Sequence, residues 1–234
     1  MDDSEFDRAL LTAAFEMAAD HGWHRMSIAG AARRAGLALD RARLRFPHRG
    51  AVLVRFGREA DRLALAAATR DAPVRDQIFD MLMRRFDALQ THRAGILALF
   101  RALPAKPHLA LMLTCANLYS MGWILEAAGV STIGPVGQLR RKGLLAAWLW
   151  AVRAWRGDET VDLSVTMAAL DHALARAETA EGWLCRRRPD SPAPAADPGP
   201  SPGPGPEPDG PPSFEPPPGG PPETGMPADV TPLA

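Results

Sequence analysis

From His21 to Arg58 the chain reads HGWHRMSIAGAARRAGLALDRARLRFPHRGAVLVRFGR, and this stretch decides the fold. Before it, apolar spacing at Leu10, Ala14, Met17 and Ala18 predicts a helix over about residues 4–20, which His21-Gly22 ends; Gly suits a C-terminal cap. Ser27 is an N-cap candidate for a short helix over 28–34, because its hydroxyl can accept an orphan backbone N–H. Ala35-Gly36-Leu37 forms a tight turn. A second short helix over 39–45 stops at Phe46-Pro47, since proline restricts the residue before it. A long helix, a short capped helix, a glycine turn and another short helix make a helix-turn-helix plan, with 39–45 spaced to enter a DNA major groove.

Charge is concentrated in the same stretch. Residues 21–58 hold nine arginines (25, 33, 34, 41, 43, 45, 49, 55, 58) against the single Asp40, a balance of +8. Residues 1–20 stand at −5, and 189–234, with seven acids and no Lys or Arg, at −7. The formal zero of the whole chain is therefore no argument against nucleic acid. Counting about 100° per residue from Leu39 puts Leu39, Ala42 and Phe46 on one side of 39–45, Arg41 and Arg45 opposite, and Arg43 on the flank. Guanidinium groups so disposed can reach guanine edges or phosphate. Arg49 opens the next helix, where free N–H groups also favour an anion. The alternative is a solvated surface in a chain whose basic residues are almost all Arg.

Beyond residue 49 helical spacing continues at about 49–69, 74–90, 93–102, 107–128, 138–155 and 161–183, and strand signals are nearly absent, so the chain reads as all-α. The expected organisation is a DNA-binding unit over 1–50, a helical body over 51–185 and a Pro/Gly-rich acidic tail over 186–234. That tail holds 18 of the 23 prolines, too little apolar surface to order itself, and is expected to be disordered. The uncharged run His108–Leu125 carries Thr114, Asn117, Ser120 and Gly122, which suits a buried helix better than a membrane span. Cys115 and Cys185 are lone thiols without ligand spacing, and the N-terminus has no signal-peptide pattern, so a cytoplasmic location is expected.

The pattern Gly22-Trp23, Ser27-Ile28, Ala31, Ala35-Gly36-Leu37, Phe46-Pro47 and Arg49 resembles the DNA-binding domain of TetR-type transcriptional regulators. It departs from that pattern at Ala38, where a capping Ser or Thr is usual, at Ala42, where Leu is usual, and at Arg43, where a phosphate-contacting Tyr is usual. The resemblance implies a dimer that binds operator DNA. Ser27, Arg33, Arg34, Arg41, Arg43, Arg45 and Arg49 are the candidate DNA contacts. It also implies a pocket for an apolar small ligand, with Met112, Cys115, Tyr119, Met121 and Trp123 as candidates. The last two helices supply an implied homodimer interface, with Leu144, Trp148, Leu149, Val152, Met167, Leu170 and Leu174 as candidates and Trp183 further along. The alternative for both apolar sets is the core of a monomer.

The second half is also similar to the ubiquinone-biosynthesis auxiliary protein, a lipid-binding family with a TetR-like fold. The shared elements are Ala128-Gly129, Ser131-Thr132, Arg141 followed by Leu144-Leu145-Ala146, Trp155–Asp158, and Thr166 with Leu170-Asp171. That resemblance implies a lipid or quinone carrier that does not read DNA. Enzyme readings are the weakest, because no GxSxG, phosphate loop, HExxH or Cys–His–acid set is present. No cofactor or metal site is expected: His21 and His24 straddle a helix end, and Asp158-Glu159 read as solvated loop acids.

Overall fold

Nine α-helices, and no strand, make up the described residues, which in this computed structural model are 1–68 and 72–186, with side chains to Thr179. The expectation of a disordered tail and the side chain of Trp183 lie outside them. The order is α1 (Asp3–His21), α2 (Ile28–Arg34), α3 (Leu39–Arg45), α4 (Arg49–Ala66), α5 (Val74–Thr91), α6 (Arg93–Ala102), a 3-10 turn at Leu103–Ala105, α7 (Pro107–Ala127), α8 (Gly134–Gly157) and α9 (Ser164–Arg186).

Local chemistry sets these ends. Asp2 and Glu5 form a reciprocal capping box at the start of α1, the Glu5 N–H donating to Asp2 at 2.7 Å. Ser27 accepts the Gly30 N–H at 3.1 Å, and His48 Nδ1 accepts the Ala51 N–H at 3.2 Å to cap α4. Ala38 gives α3 no side-chain cap. The turn between α2 and α3 passes through Gly36 at φ 64°, a left-handed value that costs glycine little.

Two helix starts lie three or four residues from the periodicity reading. Helix α8 begins at Gly134 rather than 138, because Pro135 falls in the first turn, where a missing N–H leaves no bond unmade. Helix α9 begins at Ser164 rather than 161: the Ser164 N–H donates to Thr160 Oγ1 and Asp162 Oδ1, so those residues precede the helix as its cap.

Helix α1 lies against α6 and α2, α4 against α5 and α7, and α8 against α9, so a continuous core runs from the helix-turn-helix into the body. Gly95 allows the α1–α6 approach, since a Cβ there would collide with the Phe15 backbone carbonyl. Phe15 also stacks on His92 and meets Phe56 edge-on, both at 5.0 Å between centroids. In the body, Arg85 is 4% exposed and pairs with Asp61 at 3.0 Å, donates to Asn117 and lies over Trp148. Burial of Arg85 draws its guanidinium pKa down, and Asp61 opposes that shift.

Candidate nucleic-acid interface

Helix α3 is held by α1 rather than left free. Asp7 accepts from Arg45 Nε at 2.6 Å and Nη2 at 2.7 Å, and its second oxygen also takes Arg55 Nη1 of α4 at 2.5 Å. Asp3 takes Arg45 Nη1 at 2.5 Å and pairs with Arg41, whose guanidinium lies 4.4 Å over the Phe6 ring. Asp7's hydrogen bond, then its charge and those of Asp3, hold Arg45 firmly protonated against the cost of its burial. The Arg41 hydrogen bond, followed by that of Arg45, draws the Asp3 carboxyl below its ordinary range.

This changes the orientation read from the sequence. Ala42 and Phe46, each 1% exposed, centre the inner face of α3, whereas Leu39 at its first residue is exposed. Leu44 then lies opposite the core and is 82% exposed. Arg41 and Arg45 sit about a quarter-turn round towards α1, and Arg43 about a quarter-turn the other way. The outward face thus carries Asp40, Arg43 and Leu44, not Arg41 and Arg45. Leu39 is the exposed end of a seven-residue helix and does not anchor its inner face.

Arg43 donates to the Pro47 carbonyl at 2.7 Å, and Arg49 donates to the His24 carbonyl at 2.8 Å, tying the start of α4 to the loop before α2. Arg34 pairs with Asp20 at 2.7 Å and Glu16 at 3.3 Å on α1. Arg33 is exposed. Five arginines of the 21–58 stretch therefore have no carboxylate partner among the described residues: 25, 33, 43, 49 and 58. The α1 acids carry no role in the sequence reading. Their signal was present as Asp3 and Asp7 one turn apart, matching Arg41 and Arg45 one turn apart.

The two apolar sets separate. Met121 is buried in the core and Met112 half-buried, while Cys115, Tyr119 and Trp123 lie on the outer side of α7, with Tyr119 edge-on to Trp123. Helix α7 is long and apolar enough to cross a membrane by length and composition, and about a third of it is buried inside the fold. Of the interface candidates, Leu144, Trp148, Val152, Leu170 and Leu174 are buried within the chain; Leu149 and Met167 are exposed, with Trp150 and Val165 also exposed on the same two helices. Periodicity locates an apolar face but not its occupant, and here α8 and α9 bury most of theirs against each other.

Asp158 is buried, not solvated: its oxygens accept the N–H and hydroxyl of both Thr160 and Thr166. Burial pushes its pKa up, but these hydrogen bonds outweigh it and leave the carboxyl at about 2. Glu159 beside it is exposed.

No protein-family model matches the chain, and no curated protein matches it. Solved structures do. A TetR transcriptional regulator from Nitrosomonas europaea aligns with a TM-score of 0.61 at 22% identity, over 75% of this chain and 99% of that one. A transcriptional regulator from a Rhodococcus species aligns at 0.52 and 17%, over 74% and 96%. A TetR-family regulator from Streptomyces coelicolor aligns at 0.52 and 21%, over 80% and 89%.

Proposed function

We propose, from the all-α TetR-type fold that this chain carries, that it is a DNA-binding transcriptional regulator and not an enzyme. The observation that carries this reading is the outward face of α3: Asp40, Arg43 and Leu44 are exposed together on the second helix of a helix-turn-helix. The arginines at 25, 33 and 49 flank it as cations without carboxylate partners, suited to phosphate. Arg41 and Arg45 act on α3 itself, fixing its angle on α1, and Leu44 offers a methyl-rich tip for a thymine C5-methyl group. Ser27 and Arg34 belong to the scaffold, one as a cap and one in ion pairs. Dimerisation would use the apolar groups α8 and α9 leave exposed, Leu149, Trp150, Val165 and Met167.

The test is a salt titration of binding to the DNA upstream of its own gene beside an unrelated duplex. Binding should favour the upstream DNA and weaken with a log–log slope of about −0.9 per phosphate neutralised. A flat salt response, or equal binding to both duplexes, removes the reading.

One observation favours a second reading as a lipid carrier. Leu111, Cys115, Tyr119 and Trp123 recur every fourth residue on the exposed side of α7. A co-purifying lipid on organic extraction, with retention on vesicles, would favour it; neither result would end it.

A further inference from the structure

Outside the helix-turn-helix face, α1, α4 and α5 enclose a groove of about 690 Å³, open to solvent on one side. That is within the usual range for a small-molecule site. Its floor is apolar: Leu11, Phe56, Leu63 and Ala88. Its rim is cationic, with Arg8, Arg55, Arg58 and Arg62 against only Asp7 and Glu59. Arg62 is already spent on Glu59, through two hydrogen bonds at 2.7 and 2.9 Å. Arg58 has no hydrogen-bonded or ion-paired partner among the described residues, and Arg8 makes no hydrogen bond there, acting on Glu59 through its charge alone. Burial, against the opposing charge of Glu16, pushes down the imidazole pKa of His92, which also lines the groove, and so disfavours its cationic form. An apolar floor below two guanidinium groups that make no hydrogen bond suits an amphipathic anion.

We propose that this groove binds a small carboxylate with an aliphatic or aromatic body, its charge on Arg8 and Arg58 and its body on Phe56 and Leu63. Arg55 gives the site a consequence. It lines the groove and holds Asp7 at 2.5 Å, and the same Asp7 holds Arg45 of α3. A bound carboxylate competes with Asp7 for Arg55, leaves Asp7 with one cation fewer, and changes the anchoring of α3. The groove is lined by none of the residues assigned to the DNA face, and the proposal goes beyond the regulator reading.

The experiment is calorimetry of the full chain with octanoate and 2-naphthoate, set beside the uncharged 1-octanol and 2-naphthol. The carboxylates should bind at least about tenfold more tightly than the neutral partners, and Arg8→Ala/Arg58→Ala should lose about tenfold for the carboxylates alone. An unchanged unfolding midpoint of the double variant shows that the fold is retained, both side chains being exposed. Amide hydrogen exchange across 39–45 should change when octanoate is added to the wild type and stay constant in the double variant. Equal affinity for acid and alcohol, no binding of either carboxylate, or undiminished binding by the double variant overturns the site. Unaltered exchange in α3 with octanoate bound overturns the link to the recognition helix. Neither arm uses DNA, so failure of the regulator reading is distinguished from failure of this one.

Discussion

Asp7 of α1 and Arg45 of α3 form a two-pronged ion pair at 2.6 and 2.7 Å, with side chains only 17% and 21% exposed. It joins residues 38 apart in sequence and shares its carboxylate with Arg55. Partial burial and bidentate geometry set it above an ordinary surface pair, which contributes less than about 1 kcal/mol. Asp7→Ala leaves two guanidinium groups without their shared partner and should destabilise the fold by roughly 1–3 kcal/mol. Asp3→Ala, at a more exposed position, should cost less. Urea denaturation of both variants checks the order, and equal losses would deny Asp7 its special place.

Leu44 should decide sequence preference without supporting the fold. Its side chain is 82% exposed, so Leu44→Ala should change stability by less than about 0.5 kcal/mol. If it meets a thymine methyl group, replacing thymine by uracil in the bound duplex should weaken the wild type by about 1 kcal/mol at one position. The same replacement should leave Leu44→Ala unaffected. A thymine-to-uracil scan that affects both proteins alike would place the apolar contact elsewhere.

Much of this fold was legible because its signals are local. Ser27, Gly36 and Phe46-Pro47 each act on their own neighbours, and the α2–turn–α3 unit falls where they place it. Non-local relationships were not legible in the same way. A helix wheel shows that Arg41 and Arg45 share a side of α3, but not what another helix brings against it. Asp3 and Asp7 arrive from the far end of α1 and take those arginines. Likewise Leu144, Trp148 and Val152 form one apolar face, but only packing tells that it closes inside the chain. Spacing alone makes Asp158 a loop acid, because its partner Thr166 lies in the next helix.

Gly95 and Gly57 are both helical glycines and should respond oppositely to alanine. At Gly95 the new Cβ collides with the Phe15 carbonyl, rigid backbone of α1, so the helices must separate. Gly95→Ala should destabilise by about 1–3 kcal/mol, the usual cost of overpacking. At Gly57 nothing lies within 4 Å of a Cβ, and alanine gains helix propensity. Gly57→Ala should stabilise by roughly 0.5–1 kcal/mol. Thermal melts of the two single variants suffice, and a stabilising Gly95→Ala would mean that α1 and α6 are not in close contact.

Asp158 ties the turn after α8 to the first turn of α9, and its pH dependence has a definite sign. Burial alone would raise its pKa, but the hydrogen bonds from Thr160 and Thr166 outweigh burial and leave it at about 2. In the unfolded chain an Asp titrates at about 3.9. A folded pKa below the unfolded one contributes stability fully above about pH 4, and that contribution is lost as pH falls towards 2. Asp158→Asn keeps the size but cannot present two ionised acceptors to four donors. The variant should therefore be less stable than wild type at pH 7, with the difference narrowing as pH drops from about 5 to 2. Denaturation midpoints measured across that range decide the matter. A constant gap would mean that the carboxylate's charge contributes nothing and that only its shape is used.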